Sequence, residues 1–586
     1  MKLMKYVVAL AIVFCATANV SHAQTVQYLG SGSSALFVEL GQAMAALPDT
    51  VDPTAAHCFW TKNDATGAVA ARDDRPGIPP GVAHTDEIGK IVIAWGSAAG
   101  GTCAAPVAPF NVYSNMSLDS VIGQRCFFMV SAGGAGCIQV LTEAPGTAGT
   151  VPSLLGSAFT DTPLPANVIA ALNNQRMQEA ATDIRPEDGK FASARMFTAC
   201  GSPFTRNPYI QTSYQTYGLG YQTGTTGVGT DIASFTNPGT VFHVYDFNIS
   251  GNDPLSGLAL GARATYAVST VGVQPVMVVV SPNDGVAGRL ASKSDIMIST
   301  LSEYMFGGYG RTSDLTGDTV NEHAVTALIR EPLSGTYNTF EYSIPNSNEF
   351  KTSQDINLCS GAVVNPAQNP LHAASANGGI AGAFRERALG TGQVTGALKA
   401  ATTDTIGYFF WSAGNAGGFT ATNGKYLTVA GIDPILDSYG DACVTAAGLA
   451  PGQLPNTAAG LACVTFKNLN LGDYAAWSAL RIVSLSPVPA GVTNLIAAAQ
   501  TVSATAPDFI PLSSLKVWKS HYNMFAIGVT NNNNGQTVNP ATPGDLCPGS
   551  TGEGGGDVGA ITISIHGNAD FCTDFATPIG INDKNQ

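Results

Sequence analysis

Apolar runs about the length of a buried strand constrain this chain most. Ile91–Trp95, Val276–Val280, Ala324–Ile329 and Ile406–Trp411 are nearly continuous rather than alternating. Strands covered by helices on both faces look like this, whereas a half-exposed strand alternates apolar and polar residues. Helical patterns lie between them at Leu164–Glu179, Ile296–Met305 and Gly392–Ala400. Near the start, Val26–Leu29 reads as a short strand that passes through Gly30-Ser31-Gly32-Ser33-Ser34 into a helix. On that helix Leu36, Phe37, Leu40, Met44 and Leu47 share one apolar face. Strand and helix in alternation predict α/β units. A chain of 586 residues exceeds what one core organises, so at least two lobes are expected.

The N-terminus sets the expected compartment. Lys2 and Lys5 precede an apolar run, Tyr6–Ala18, and Ser21-His22-Ala23 supplies small residues where a signal peptidase cuts. This order predicts a signal peptide over 1–23 and a soluble mature protein, periplasmic or secreted, starting at Gln24. The run is shorter than the roughly 20 residues a membrane span takes. Of 11 cysteines, Cys15 lies in the signal. The rest suit disulfides in an exported chain. Proximity along the sequence suggests Cys58–Cys103, Cys126–Cys137, Cys443–Cys463 and Cys547–Cys572, leaving Cys200–Cys359, among the many pairings possible. There is no CxxC or HExxH and the histidines are scattered, so neither a zinc site nor any other cofactor is implied.

The net charge of −14 excludes a nucleic-acid partner, which requires basic stripes. It also means that a bound anion must be held by local, oriented donors, because the overall field repels it. Two stretches break the α/β pattern. Phe197–Leu260 is rich in Gly, Thr, Tyr and Asn, and Ala413–Leu471 carries a cysteine pair and many turn residues. A C-terminal extension, 531–586, opens on Asn531–Asn534 and holds one strand-like run, Ala560–Ile565.

The chemistry concentrates in one segment. A buried strand ends at Arg330, a short step leads to Ser334-Gly335-Thr336, and a helix begins. The first N–H groups of a helix lack partners and point outward, where the helix dipole favours negative charge. Gly335 permits close backbone approach. The Ser334 and Thr336 hydroxyls donate to oxygen, and Arg330 adds a planar pair of donors. The competing reading is an ordinary serine N-cap with an arginine in a surface salt bridge.

Arg-x-x-x-Ser-Gly-Thr between strand and helix resembles the ligand loop of periplasmic phosphate-binding proteins of ABC transporters. Further segments resemble that family in its own order. They are Gly30-Ser31-Gly32-Ser33-Ser34, Ala181-Thr182-Asp183, Val276–Pro282, Leu301–Gly308, Arg387–Gly392 followed by Thr405-Ile406-Gly407-Tyr408, and Asp473–Trp477. The resemblance implies a two-lobed type II periplasmic-binding-protein fold, α/β with a hinge. Its lobes would comprise 24–279, then 280–410, then a return to the first lobe over 411–530, with insertions near 197–260 and 413–471. It implies a ligand, inorganic phosphate or a similar oxyanion, held by Ser34 and the backbone near Ala35 on one side. Arg330, Ser334, Gly335 and Thr336 would stand on the other, with Asp183 accepting from a protonated oxygen. It further implies a monomer that hands its ligand to an ABC permease and catalyses nothing. The family's aromatic after the first-loop hydroxyl is Ala35 here, and the stretch from Ser34 to Asp183 is longer than usual. Ser120 is chosen as the family's second serine, with Ser97 the other candidate. For Asp183 by itself, a salt bridge to Arg185 or a cap for the residues from Pro186 onward competes.

Three other functions compete. Gly30-x-Gly32-x-x-Ala35, with Asp49 or Asp52 downstream, fits a dinucleotide fingerprint, but it follows a signal for export almost immediately. A hydrolase lacks Gly-x-Ser-x-Gly and any histidine near the serines named. A secreted structural or surface-binding protein that kept the fold and lost the ligand would have no need for Ser34, Asp183, Arg330, Ser334 and Thr336 to converge.

Overall fold

The structure, a computed structural model, describes residues 24–47, 58–62, 69–73, 90–98, 100–128, 137–149 and 162–184. It also describes 266–344 apart from 283, 284, 287, 307 and 331–333, then 383–515 apart from 389, and short strands at 517–520, 560–563 and 580–581. The expected signal peptide, the 197–260 insertion, Arg185–Asp188 and the pairs Cys200–Cys359 and Cys547–Cys572 lie outside these residues.

The first lobe is built on β1 (Gln24–Ser33), parallel to β5 (Phe110–Leu118) on one side and β7 (Glu179–Thr182) on the other. β4 (Lys90–Trp95) and β2 (Cys58–Lys62) extend it antiparallel beyond β5. Both faces are covered. Leu29, Ile91 and Ile93 join one apolar layer, while Tyr28 and Val92 join the layer on the opposite face. This is why the Ile91–Trp95 run is continuous: the pleat delivers successive residues to two cores.

The second lobe is built on β10 (Thr326–Arg330), parallel to β11 (Phe384–Ala388) and β12 (Thr405–Phe410). One strand, β8 (Tyr266–Ser281), serves both lobes. Tyr266–Pro275 pairs with β14 (Trp477–Leu485) of the first lobe, and Val276–Ser281 pairs with β12 of the second. The change of partner falls at Pro275, whose carbonyl accepts from the Trp411 N–H while Val276 N–H donates to Ala476 O. Among the described residues the result is a 12-stranded sheet in the order β11-β10-β12-β8-β14-β7-β1-β5-β4-β2. Off this path, β13 (Lys425–Val429) pairs with β8 and with β9 (Asp295–Ile296). β3 (Val69–Asp73) pairs with β6 (Cys137–Leu141), and β15 (Val517–Ser520), β16 (Ala560–Ile563) and β17 (Gly580–Ile581) form a small sheet. The architecture is thus two α/β lobes joined by crossing strands.

Helix α1 (Phe37–Ala46) follows β1, and α2 (Ser120–Phe128) follows β5. Helices α3 (Gly335–Ser343) and α4 (Gly390–Ala400) follow β10 and β11. On α1, Phe37, Leu40, Ala43 and Met44 pack against β4 and against α5 (Ala490–Thr505), the helix after β14. Cys58–Cys103 and Cys443–Cys463 are disulfides, and Cys126 is disulfide-bonded as well.

Two expectations are corrected. The Leu164–Glu179 pattern is helical only over Ala166–Leu172, and Glu179 already begins β7. Asn174 takes a left-handed φ of 61°, which turns the chain. The chain also does not re-enter the first lobe at 411. Phe419, Tyr426, Leu427, Ile435, Val444 and Leu469 are buried in the second-lobe core with Val276–Val280 and Phe409. The segment 413–471 therefore completes that lobe, and the return is made by β14.

Candidate functional site

Register brings the predicted residues together. Ser33 pairs with Leu118, and Gly32 with Ala181, so the residues just beyond these pairs share one sheet edge: Ser34, Asp119-Ser120 and Asp183. In the second lobe Arg330 pairs with Ala388, which sets the N-termini of α3 and α4 side by side. These are carboxyl ends of parallel strands in both lobes, the usual place for ligands in open α/β sheets. Gly32 has φ 141° and lies so near the Ala181 carbonyl that a β-carbon would overlap it, so only glycine permits this pairing.

Arg330 reaches from the second lobe towards the first and is 1% exposed. Its Nη1 donates to Thr336 Oγ1 at 3.4 Å and to Thr391 Oγ1 at 3.1 Å, both in its own lobe. Its Nη2 lies 3.5 Å from Asp119 Oδ1 in the other lobe. The backbone N–H of Arg330 donates to Tyr408 Oη at 3.2 Å, and the Tyr408 ring stacks on Phe340 of α3 at 3.8 Å. Strand end and helix are thereby fixed to each other.

Ser334 is the N-cap of α3: its Oγ accepts from Tyr337 N–H at 3.3 Å, and Asn338 Nδ2 donates to its carbonyl at 2.8 Å. Capping uses an Oγ lone pair, so the hydroxyl hydrogen can still be donated elsewhere. The capping half of the competing reading is met. The surface salt bridge is not, since the guanidinium is buried and pairs with the other lobe.

Gly335 is where the lobes meet. A β-carbon there would overlap the Asp183 carboxyl and stand 2.5 Å from Ser120 Oγ. Asp183 is fully buried. Ser120 Oγ donates to Asp183 Oδ1 and accepts from Asp183 N–H at 3.4 Å. The Asp183 carbonyl accepts from Ser478 Oγ and, at 3.4 Å, from Arg481 Nη1. Gln124 Nε2 donates to Thr182 Oγ1 at 2.8 Å and to Ile184 O at 2.7 Å, holding the turn that carries Asp183.

Ser34 is half-buried at the sheet edge, and Ala35 touches the cores of both lobes. The Ala35 N–H, part of the backbone expected near the anion, donates to Ser33 Oγ at 3.1 Å, because Ser33 caps the turn. Ser97 follows β4, which is antiparallel to β5, and so lies at the opposite edge, accepting from Val107 N–H at 3.2 Å in its own loop.

Sequence reasoning passed over Asp119, Thr391, Ser478 and Arg481. Asp119 directly precedes Ser120, and Gly390-Thr391 opens a helix after a strand just as Gly335-Thr336 does; both signals were available. Four buried charged groups, Asp119, Asp183, Arg330 and Arg481, gather at this point, and their formal charges cancel. Such a site can hold an oxyanion through hydroxyls and amide dipoles without relying on excess charge. Among the described residues no group of three or more His, Cys, Asp or Glu could hold a metal, and no helix is long and apolar enough to cross a membrane.

No protein-family model matches the sequence, and no curated protein matches it. Solved structures are similar to it in part. A phosphate-binding protein from Stenotrophomonas maltophilia is 13% identical with TM-score 0.28, covering 68% of this chain and 83% of its own. An ABC-type phosphate transport receptor from Vibrio cholerae is 14% identical with TM-score 0.25, covering 42% and 72%. PstS from Borrelia burgdorferi is 13% identical with TM-score 0.23, covering 42% and 72%. At these scores the architecture rests on the strand order given above.

Proposed function

We propose that the chain is an exported solute-binding protein that captures a tetrahedral oxyanion, phosphate foremost, between its lobes and delivers it to an ABC permease. One observation carries the reading. Arg330 and Ser334-Gly335-Thr336 of one lobe converge on Ser120 and Asp183 of the other, at the carboxyl ends of both sets of parallel strands. Ser34 lies at the same edge and takes the flank of the ligand.

In this reading the lobes close about β8 and β14 around one desolvated anion, with no chemistry on it. Arg330, the first N–H groups of α3 and the Ser334 and Thr336 hydroxyls supply donors, and Ser120 adds one when its hydrogen turns from Asp183 to the anion. Asp183 accepts from the proton of hydrogen phosphate. Fully ionised sulfate would meet that carboxylate oxygen to oxygen, with no hydrogen between them. Hydrogen bonds to a charged group contribute about 1.5–3 kcal/mol each, so five or six supply the ~8 kcal/mol of micromolar affinity after entropy costs.

Calorimetric titration of the purified chain with phosphate, arsenate, sulfate and molybdate tests this. One saturable site that prefers phosphate and arsenate to sulfate is expected; no heat with any of the four would refute it.

A further inference from the structure

The Arg330 guanidinium has two kinds of partner. Thr336 and Thr391, both on its own lobe, hold Nη1, and Tyr408 holds its backbone N–H. Asp119 approaches Nη2 from the opposite lobe at 3.5 Å, with both side chains nearly buried. Orientation of the guanidinium is therefore already supplied by neutral hydroxyls, and what Asp119 adds is a negative charge.

We infer that Asp119 is a specificity-determining residue that offsets the Arg330 charge and so biases the site against fully ionised divalent oxyanions. This deepens the oxyanion reading and rests on it. A carboxylate beside the anion repels a dianion about twice as strongly as a monoanion, since Coulomb energy scales with the product of charges. An anion that carries a proton can also donate it to a carboxylate, which sulfate cannot do. Asp183 accepts the one proton of hydrogen phosphate, whereas Asp119 acts on that anion through its charge and can accept only the second proton of the dihydrogen form. The two carboxylates together favour the most protonated member of an oxyanion series.

The test compares the full chain with Asp119→Asn and Asp119→Glu, titrated calorimetrically with sulfate and phosphate at low and high ionic strength, with thermal melts to establish folding. Asp119→Asn removes the charge at constant shape. Its sulfate affinity is expected to rise about tenfold and its phosphate affinity by less, lowering the phosphate-to-sulfate ratio. The gain should shrink in high salt. Asp119→Glu keeps the charge and should keep the wild-type ratio. Should Asp119→Asn fail to fold, Asp119→Ser reads the same ratio. An unchanged ratio, or equal weakening of both anions, overturns the inference and assigns Asp119 to positioning alone. A wild-type protein that binds neither anion overturns the oxyanion site itself, a separate outcome.

Discussion

The two lobes differ in kind where they meet. The second lobe presents donors: a guanidinium, the open N-terminus of α3 and the hydroxyls of Ser334, Thr336 and Thr391. The first lobe presents the carboxylates Asp119 and Asp183, with Ser120 between them. Donors hold any oxyanion, whereas acceptors discriminate by protonation. The comparison teaches that affinity should reside mainly in the second lobe and selectivity mainly in the first.

Substitutions can break that division, and we take them from the largest expected effect on binding to the smallest. Arg330→Ala should weaken phosphate by about 2–5 kcal/mol, because a desolvated charge loses its partner. Unchanged affinity in a calorimetric titration would remove the second lobe's leading role. Gly335→Ala should weaken it by about 1–3 kcal/mol, since a methyl group there runs into Asp183 and holds the lobes apart. Small-angle scattering with saturating phosphate should show the variant more open than wild type. Asp183→Asn should alter phosphate affinity less than it alters choice, shrinking the preference over sulfate by about 1–3 kcal/mol. Equal ratios in both proteins would count against the acceptor role.

Glu39→Gln should leave phosphate affinity near wild type and act on stability instead. Glu39 is buried in α1 against Ser503 of α5, and burial pushes its carboxyl up to about 8, a shift that the Ser503 hydrogen bond opposes. The folded protein thus holds this proton more tightly than the unfolded chain does. The resulting stability is complete below about 4.5 and is lost as pH rises to about 8. Urea midpoints at about pH 5 and about pH 8.5 should differ in the wild type and converge in the glutamine variant. The same midpoint difference in both proteins would show that Glu39 is not the group responsible.

Much of this was legible in the sequence because it is local. The run Val276–Val280 and the strand ending at Arg330 are buried on both faces, and burial leaves its mark residue by residue. The Ser334-Gly335-Thr336 opening of α3 is equally local, since a helix start needs only its own cap. Local signals mark Asp119 and Thr391, but what the missed residues meet depends on distant pairing. Asp119 matters because Arg330 reaches it from the other lobe, and Arg481 because β14 lies beside β7. The segment 413–471 looked like an insertion since its turns dominate its composition. Its apolar residues, Phe419 and Tyr426 among them, reveal a destination only once β13 is seen paired with β8. Over Leu164–Glu179 the apolar spacing predicts one helix, yet the Asn173-Asn174 turn signal prevails and the helix ends at Leu172.

The central claim is that one tetrahedral anion is shared by both lobes at a single point. The most direct measurement is an anomalous difference map from crystals grown with arsenate. A single arsenic peak within hydrogen-bonding reach of the Arg330 guanidinium, the Gly335 N–H and Ser120 Oγ is predicted. A peak elsewhere, or none at an arsenate concentration that saturates in solution, would contradict it.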